Sequence, residues 1–189
     1  MPIRSFPGEK FLRKIASILA GLLLGSLLLT PLAQAKGLEE QAGDIGQLLI
    51  PAAAYGLTFL KHDQEGRYQF YKSYATTLAA TYSLKYLINK KRPNGGDHSF
   101  PSGHTASAFS GAAFLQQRYG LKLGIPAYLA AAFVGVSRVD CDAHDYVDVS
   151  AGAAIGILSN LYFTTRFKDV TISPMVDSDT IGATVSFKW

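Results

Sequence analysis

Two cations, Lys85 and Arg92, stand seven residues apart with no acidic residue between them. On a continuous helix that spacing is two turns, so both side chains share one face. They repel each other there unless an anion sits between them, and Arg138 adds a third cation. The planar guanidinium grips a phosphate or carboxylate bidentately, while lysine contributes a point charge. Ser102 and Gly103 follow Pro101 at the start of a helical pattern, where free backbone N–H groups and the helix dipole favour an anion. Glycine there lets an oxyanion approach the backbone. His144 and Asp148 are four apart and meet on one helical face. An aspartate on one ring nitrogen fixes the tautomer and leaves the other as a nucleophile or base. His104 supplies a second imidazole, able to protonate a leaving oxygen.

Elements must bring these residues together. Apolar runs between charges and breakers predict helices near Asp44–Leu60, Phe70–Asn89, Gly103–Arg118, Leu123–Arg138 and Tyr146–Arg166. The connections are short, so neighbouring helices run antiparallel. In such an up-and-down bundle the end of the second helix, the start of the third, the end of the fourth and the start of the fifth fall at one end. Clusters such as Ala52-Ala53-Ala54 and Ala151-Gly152-Ala153-Ala154 allow close helix approach. The uncharged stretches Ile45–Leu60 and Val149–Thr165 hold 16 and 17 residues. Both are slightly short of the roughly 20 that span a bilayer. From Ile181 to Trp189 apolar residues alternate with small or polar ones, a period of two that predicts a short β-hairpin-like tail over 169–189.

The chain of 189 residues is 48% hydrophobic and only 17% charged, against about 25% charged in average soluble chains. It is neither disordered nor of low complexity. The single cysteine, Cys141, excludes an internal disulfide framework and any cysteine-only metal cluster. The formal net charge of +4 comes mainly from the first 35 residues, which hold Arg4, Lys10, Arg13 and Lys14 against Glu9. The remainder is almost balanced, so no nucleic-acid footprint is left. That first stretch has a positive front, the apolar run Ile15–Leu29, and small residues at Ala33-Gln34-Ala35. It reads as a signal peptide cleaved after Ala35, or else as an uncleaved N-terminal membrane helix. Both versions export the chain that follows, 36–168 being the helical domain.

Three motifs carry a family resemblance: Lys85-x6-Arg92-Pro93, then Pro101-Ser102-Gly103-His104, then Ser137-Arg138-x5-His144-x3-Asp148. In order and spacing the sequence resembles the type 2 phosphatidic acid phosphatase (PAP2) superfamily, which also includes bacterial class A acid phosphatases and vanadium haloperoxidases. The resemblance implies an all-α fold, an antiparallel bundle of five core helices behind the N-terminal hydrophobic segment. It further implies that His144 attacks phosphorus, that Asp148 orients it and that His104 acts as general acid. Lys85, Arg92, Ser102, Gly103 and Arg138 are expected to hold the phosphoryl oxygens. No metal and no cofactor are expected. Only Asn94–Phe100 separates the first two motifs, which leaves little room for a cap over the pocket.

The expected substrate is a phosphate monoester or diphosphate, of a lipid or of a small ester. The expected location is the bacterial envelope, membrane-associated with the site facing the periplasm; a soluble periplasmic bundle is the alternative. Under the membrane reading Lys61, Arg67, Lys72, Arg118, Lys122, Arg166 and Lys168 gather on the cytoplasmic side. Two other functions fit the same residues: a non-catalytic protein that binds anionic headgroups, and a vanadium-dependent haloperoxidase. Asp140, Asp142 and Asp145 read as solubilising loop residues, Cys141 as incidental, His98 as part of the pocket rim, and His62 as solvent-exposed.

Overall fold

The computed structural model describes residues 35–167, 169–177 and 180–188, so the expected export segment falls outside the described residues except for Ala35. Five helices follow one another: α1 (Ala35–Leu60), α2 (Gln64–Ile88), α3 (Gly103–Tyr119), α4 (Leu121–Asp140) and α5 (Tyr146–Phe163). Beyond them, β1 (Asp169–Asp177) and β2 (Thr180–Lys188) pair antiparallel, with Val170 opposite Phe187 and Val176 opposite Ile181.

Differences in helix boundaries have local causes. α1 starts well before the expected Asp44, because Leu38 to Ala42 are good helix formers that lack an apolar run. α2 starts at Gln64, where the Asp63 carboxylate accepts the Gly66 N–H at 2.8 Å. It stops at Ile88 because Asn89 turns left-handed, with φ of 42°. α5 ends before the expected Arg166, since Arg118 and the Gln69 side chain take the Thr165 carbonyl and N–H at 2.9 Å each.

Side-chain contacts show which ends meet. At one end, Asp44 of α1 reaches His104 of α3 and Arg138 of α4, and Asp148 of α5 reaches the α2–α3 loop. At the other, Arg118 at the end of α3 grips Asp63 of the α1–α2 connection at 2.7 and 2.5 Å, and Tyr119 donates to the same carboxylate. The helices therefore alternate in direction. α3 is the axis and packs against all four others.

The axis is made of small residues. Ala106, Ala108, Ala112 and Ala113 are buried along it, and α5 crosses so closely that a Cβ on Gly156 would lie 2.6 Å from the Ala106 carbonyl oxygen. Phe70, Phe114, Leu115 and Val134 complete the core, while Leu48, Leu49, Leu87, Leu129, Leu158 and Tyr162 lie outside, each more than 60% exposed. Among the described residues α4 is the one helix both long and apolar enough to cross a membrane.

Close crossing at Gly156 makes the position intolerant of bulk. Gly156→Val is expected to destabilise the fold by about 1–3 kcal/mol. Gly56→Ala, in open space on α1, is expected to stabilise it by roughly 0.5–1 kcal/mol. Unfolding of the purified variants checks both signs.

Candidate active site

The site is assembled from two loops, two helix starts and the end of α4. Because α2 stops at Ile88, Arg92 lies in the loop, and the expected sharing of one helical face by Lys85 and Arg92 does not occur. The loop folds back instead. Ser99 N–H bonds to the Lys90 carbonyl at 2.8 Å, Arg92 N–H to Gly96 at 2.7 Å, and Asn94 N–H to Asp142 of the α4–α5 loop at 3.0 Å. Lys85 reaches up from the last turn of α2 and donates to the carbonyls of His98 (2.7 Å) and Ser99 (3.4 Å). His98 is a strut and not, as expected, part of the cleft rim: its Nδ1 lies 3.2 Å from the Lys85 carbonyl and its ring packs against Tyr86.

His144 is held by backbone. Its N–H and that of Ala143 both bond to the Arg138 carbonyl, at 3.0 and 3.1 Å, and the side chain is almost fully buried. Asp148 Oδ2 lies 3.5 Å from His144 Nδ1, and Ser99 Oγ bridges the two. Ser99 donates its proton to Asp148, so its oxygen accepts the Nδ1 proton of His144 at 3.3 Å. That network assigns the Nδ1–H tautomer and leaves Nε2 as the lone-pair nitrogen. Burial, then repulsion from Arg92 and Lys85, outweighs Asp148 and lowers the His144 pKa to about 4. The imidazole is neutral at neutral pH.

Asp148 is itself fixed from several sides. Lys90 Nζ donates to Oδ1 at 2.8 Å, the Asp145 N–H to Oδ2 at 3.3 Å, and the Asp148 carbonyl accepts the Ser102 N–H at 2.9 Å. Asp145 is no loop solubiliser, contrary to expectation. Its carboxylate caps α5 by accepting the Val147 and Asp148 N–H groups at 3.0 Å each, and it pairs with Lys90. Ser99, Lys90 and Asp145 escaped sequence reading. The Asp-x2-Asp spacing ahead of an apolar run is the capping signal that could have found Asp145.

A cleft of about 510 Å³ opens at this end, lined by Arg92, His104, Arg138 and His144 among the expected residues, with Asn94, Ala143, Glu40, Asp44, Gln47 and Leu48 beside them. Arg138 is buried and each of its nitrogens has a partner: Nε Ser137 Oγ at 3.3 Å, one terminal nitrogen Asp44 at 2.7 Å, the other the Glu40 carbonyl at 2.6 Å. Asp44 Oδ1 also lies 2.9 Å from His104 Nε2. Arg92 spends Nε on the Asp97 carbonyl at 3.1 Å. Lys85, Ser102, Gly103 and Asp148 stand behind the cleft surface. The Ser102 hydroxyl accepts from Thr105 N–H and Thr105 Oγ1 (3.4 and 3.0 Å) at the N-cap of α3. His62 is exposed, and Cys141 Sγ donates weakly to the Arg138 carbonyl.

Two imidazoles and two guanidinium groups lining one cleft of an all-helical bundle are the arrangement of a PAP2-type phosphatase. The chain belongs to the PAP2 superfamily, whose family model matches residues 63–171. It is 26% identical over 199 residues to the lipid A 4'-phosphatase of Helicobacter pylori, covering 94% of this chain and all of that one. It is 41% identical over 78 residues to the lipid A 1-phosphatase of Porphyromonas gingivalis; the match covers 39% of this chain and spans only 18% of that relative's length. Among solved structures, that of Aquifex aeolicus LpxE shares the fold with a TM-score of 0.60 at 23% identity, over 86% of this chain and 98% of that one.

His144 is expected to titrate near pH 4 in NMR spectra of the ring-labelled protein, far below the ordinary value of about 6.5. Arg92→Gln removes one of the two repelling cations and is expected to move that midpoint upward. A wild-type midpoint in the ordinary histidine range would contradict the assigned environment.

Proposed function

We propose that this chain is an exported, membrane-embedded phosphatase that cleaves phosphate from lipids through a phosphohistidine, without a metal. The observation that carries this reading is the Ser99 bridge between His144 and Asp148, which aims a neutral Nε2 at a cleft lined by guanidinium groups. Nε2 attacks phosphorus, the bond to the leaving oxygen breaks, and His104, in its protonated form, gives that oxygen its proton. Water then attacks the phosphohistidine and loses a proton to His104. Inorganic phosphate leaves, and both imidazoles return to their starting state.

Arg92 and Arg138 hold phosphoryl oxygens through their terminal N–H groups, Arg138 by exchanging Asp44 for phosphate, and their charge is worth most in the transition state. Gly103 offers its amide at the start of α3. Two roles behind the surface are supported by unspent donors. Ser102 accepts two hydrogen bonds and keeps its own proton, while Lys85 uses two carbonyls and retains a third N–H. In this reading residues 1–35 direct export, 36–168 form the catalytic domain, and 169–189 are an appended hairpin.

Membrane embedding is supported by the many large apolar side chains on the outer surface and the small residues at the helix crossings. At the end away from the cleft, cations lie over aromatic rings. Lys72 stands 4.1 Å from the Tyr68 ring, Arg67 4.6 Å from Phe59, and Lys61 5.6 Å from Tyr119. Such pairs suit a membrane–water boundary. Arg118 belongs to this end too, but it is buried against Asp63 and counts as structure, not as a free positive charge.

His144→Ala is expected to cut phosphate release from a lipid phosphate by about 10³-fold or more, and Ser99→Ala by roughly ten- to a hundredfold. Wild-type activity is expected to persist in EDTA. Unchanged turnover in His144→Ala would remove the phosphohistidine mechanism. The expressed protein is expected to stay with membranes after osmotic shock and high salt, and to dissolve only in detergent. Release into the soluble fraction would remove the membrane reading.

A further inference from the structure

One wall of the cleft is formed by α1, and it is acidic where it meets the catalytic groups. Glu40 and Asp44 lie one helical turn apart on that wall, followed by Gln47 and Leu48. Asp44 projects furthest, with Oδ1 2.9 Å from His104 Nε2 and 2.7 Å from Arg138. Glu40 also gives Arg138 its backbone carbonyl at 2.6 Å, so its carboxylate is not needed to hold that guanidinium.

In-line displacement fixes what this wall must face. His144 attacks from the side of the α2–α3 loop, so the leaving group departs on the opposite side of phosphorus. His104 must reach the leaving oxygen to protonate it. Because Asp44 is bonded to His104, whatever leaves departs against α1. We infer that Asp44 and Glu40 make the enzyme selective for a phosphate monoester on a hydroxyl-bearing headgroup, such as a sugar or polyol lipid, over a diphosphate. This deepens the phosphatase reading above and rests on it.

The two substrate classes differ in what meets the carboxylates. When a monoester is cut, the leaving group is an alcohol whose neighbouring hydroxyls donate to Asp44 and Glu40. When a diphosphate is cut, the leaving group is a second phosphate, and its oxygens meet two anions with no donor between them. Like charges at such short range discriminate strongly inside a partly desolvated cleft. Incoming phosphate also replaces Asp44 on Arg138 without releasing the arginine, which keeps Ser137 Oγ and the Glu40 carbonyl. Asp44 is then free to turn toward the headgroup. One turn further along, Leu48 is 64% exposed, so the wall passes from acidic to apolar in the direction the acyl chains of a lipid must run.

The test compares kcat/KM for an alkyl glycoside phosphate and an isoprenyl diphosphate, in mixed micelles, with the full-length protein. The wild type is expected to favour the monoester. D44N is expected to shift the ratio toward the diphosphate by about tenfold, E40Q in the same direction by less, and D44E to keep the wild-type ratio. E40Q preserves the backbone contact to Arg138, so it reads charge even where D44N disturbs the arginine. A wild-type preference for the diphosphate, or D44N and E40Q lowering both activities equally, overturns the inference and leaves the phosphatase reading standing. Release of phosphate from neither substrate overturns both.

Discussion

The carboxylate of Asp148 is wholly buried, and the active end of the molecule is organised around it. An ionised carboxylate out of water is costly unless its lone pairs are occupied. Here Lys90, Ser99 and the Asp145 N–H occupy them. Each partner comes from a different place: Lys90 and Ser99 from the two sides of the α2–α3 loop, Asp145 from the cap of α5. Meeting the needs of one charge therefore closes the loop, starts the helix and sets the histidine tautomer together. The serine bridge matters in particular, because Asp148 and His144 are 3.5 Å apart and too loosely placed for a strong direct hydrogen bond.

At the far end, Arg118 and Asp63 play the corresponding structural part. The guanidinium takes both carboxylate oxygens, Tyr119 adds a third donor, and the Thr165 carbonyl ties in the end of α5. This pair is closed: every strong acceptor is met by a donor of the chain, and nothing is left over for a ligand. The alanine- and glycine-rich axis of α3 joins the two polar ends. Close packing along α3 lets the far clasp hold the helix whose first turn carries Ser102, Gly103 and His104, so the register of that turn is set from both ends.

Much of this was legible in the sequence because it is written in spacing. The motif residues fall at helix ends, and alternation of five helices is enough to gather Arg92, His104, Arg138 and His144 on one cleft. What spacing could not show was direction beyond a helix end. Asn89 turns left-handed, so extrapolating the α2 face from Lys85 to Arg92 failed. Ser99 and Lys90 act through a loop fold that has no period. Asp44 was hidden differently: it was read as the first residue of a helix, when α1 starts earlier and places it mid-face against two functional groups. Asp145 looked like a surface acid because a cap and a solvated loop residue use the same side chain.

The way the cations are held explains how the site can be rigid and still attract an anion. Lys85, Arg92 and Arg138 would repel one another across a shielded cleft if nothing compensated them. Pairing each with a carboxylate would fix their positions but cancel the charge that attracts an anion. Instead, Lys85 is held by the carbonyls of His98 and Ser99, Arg92 by that of Asp97, and Arg138 by that of Glu40 and the Ser137 hydroxyl. Carbonyl dipoles orient a cation without neutralising it, so the field in the cleft stays positive. Asp44 is the exception, and its position follows from the same logic. It is nearly half exposed and pairs with Arg138 at the mouth, where an anion can displace it without exposing a buried charge. The carboxylate that cannot be displaced, Asp148, sits behind His144 and away from the cleft lining, where its charge supports the imidazole.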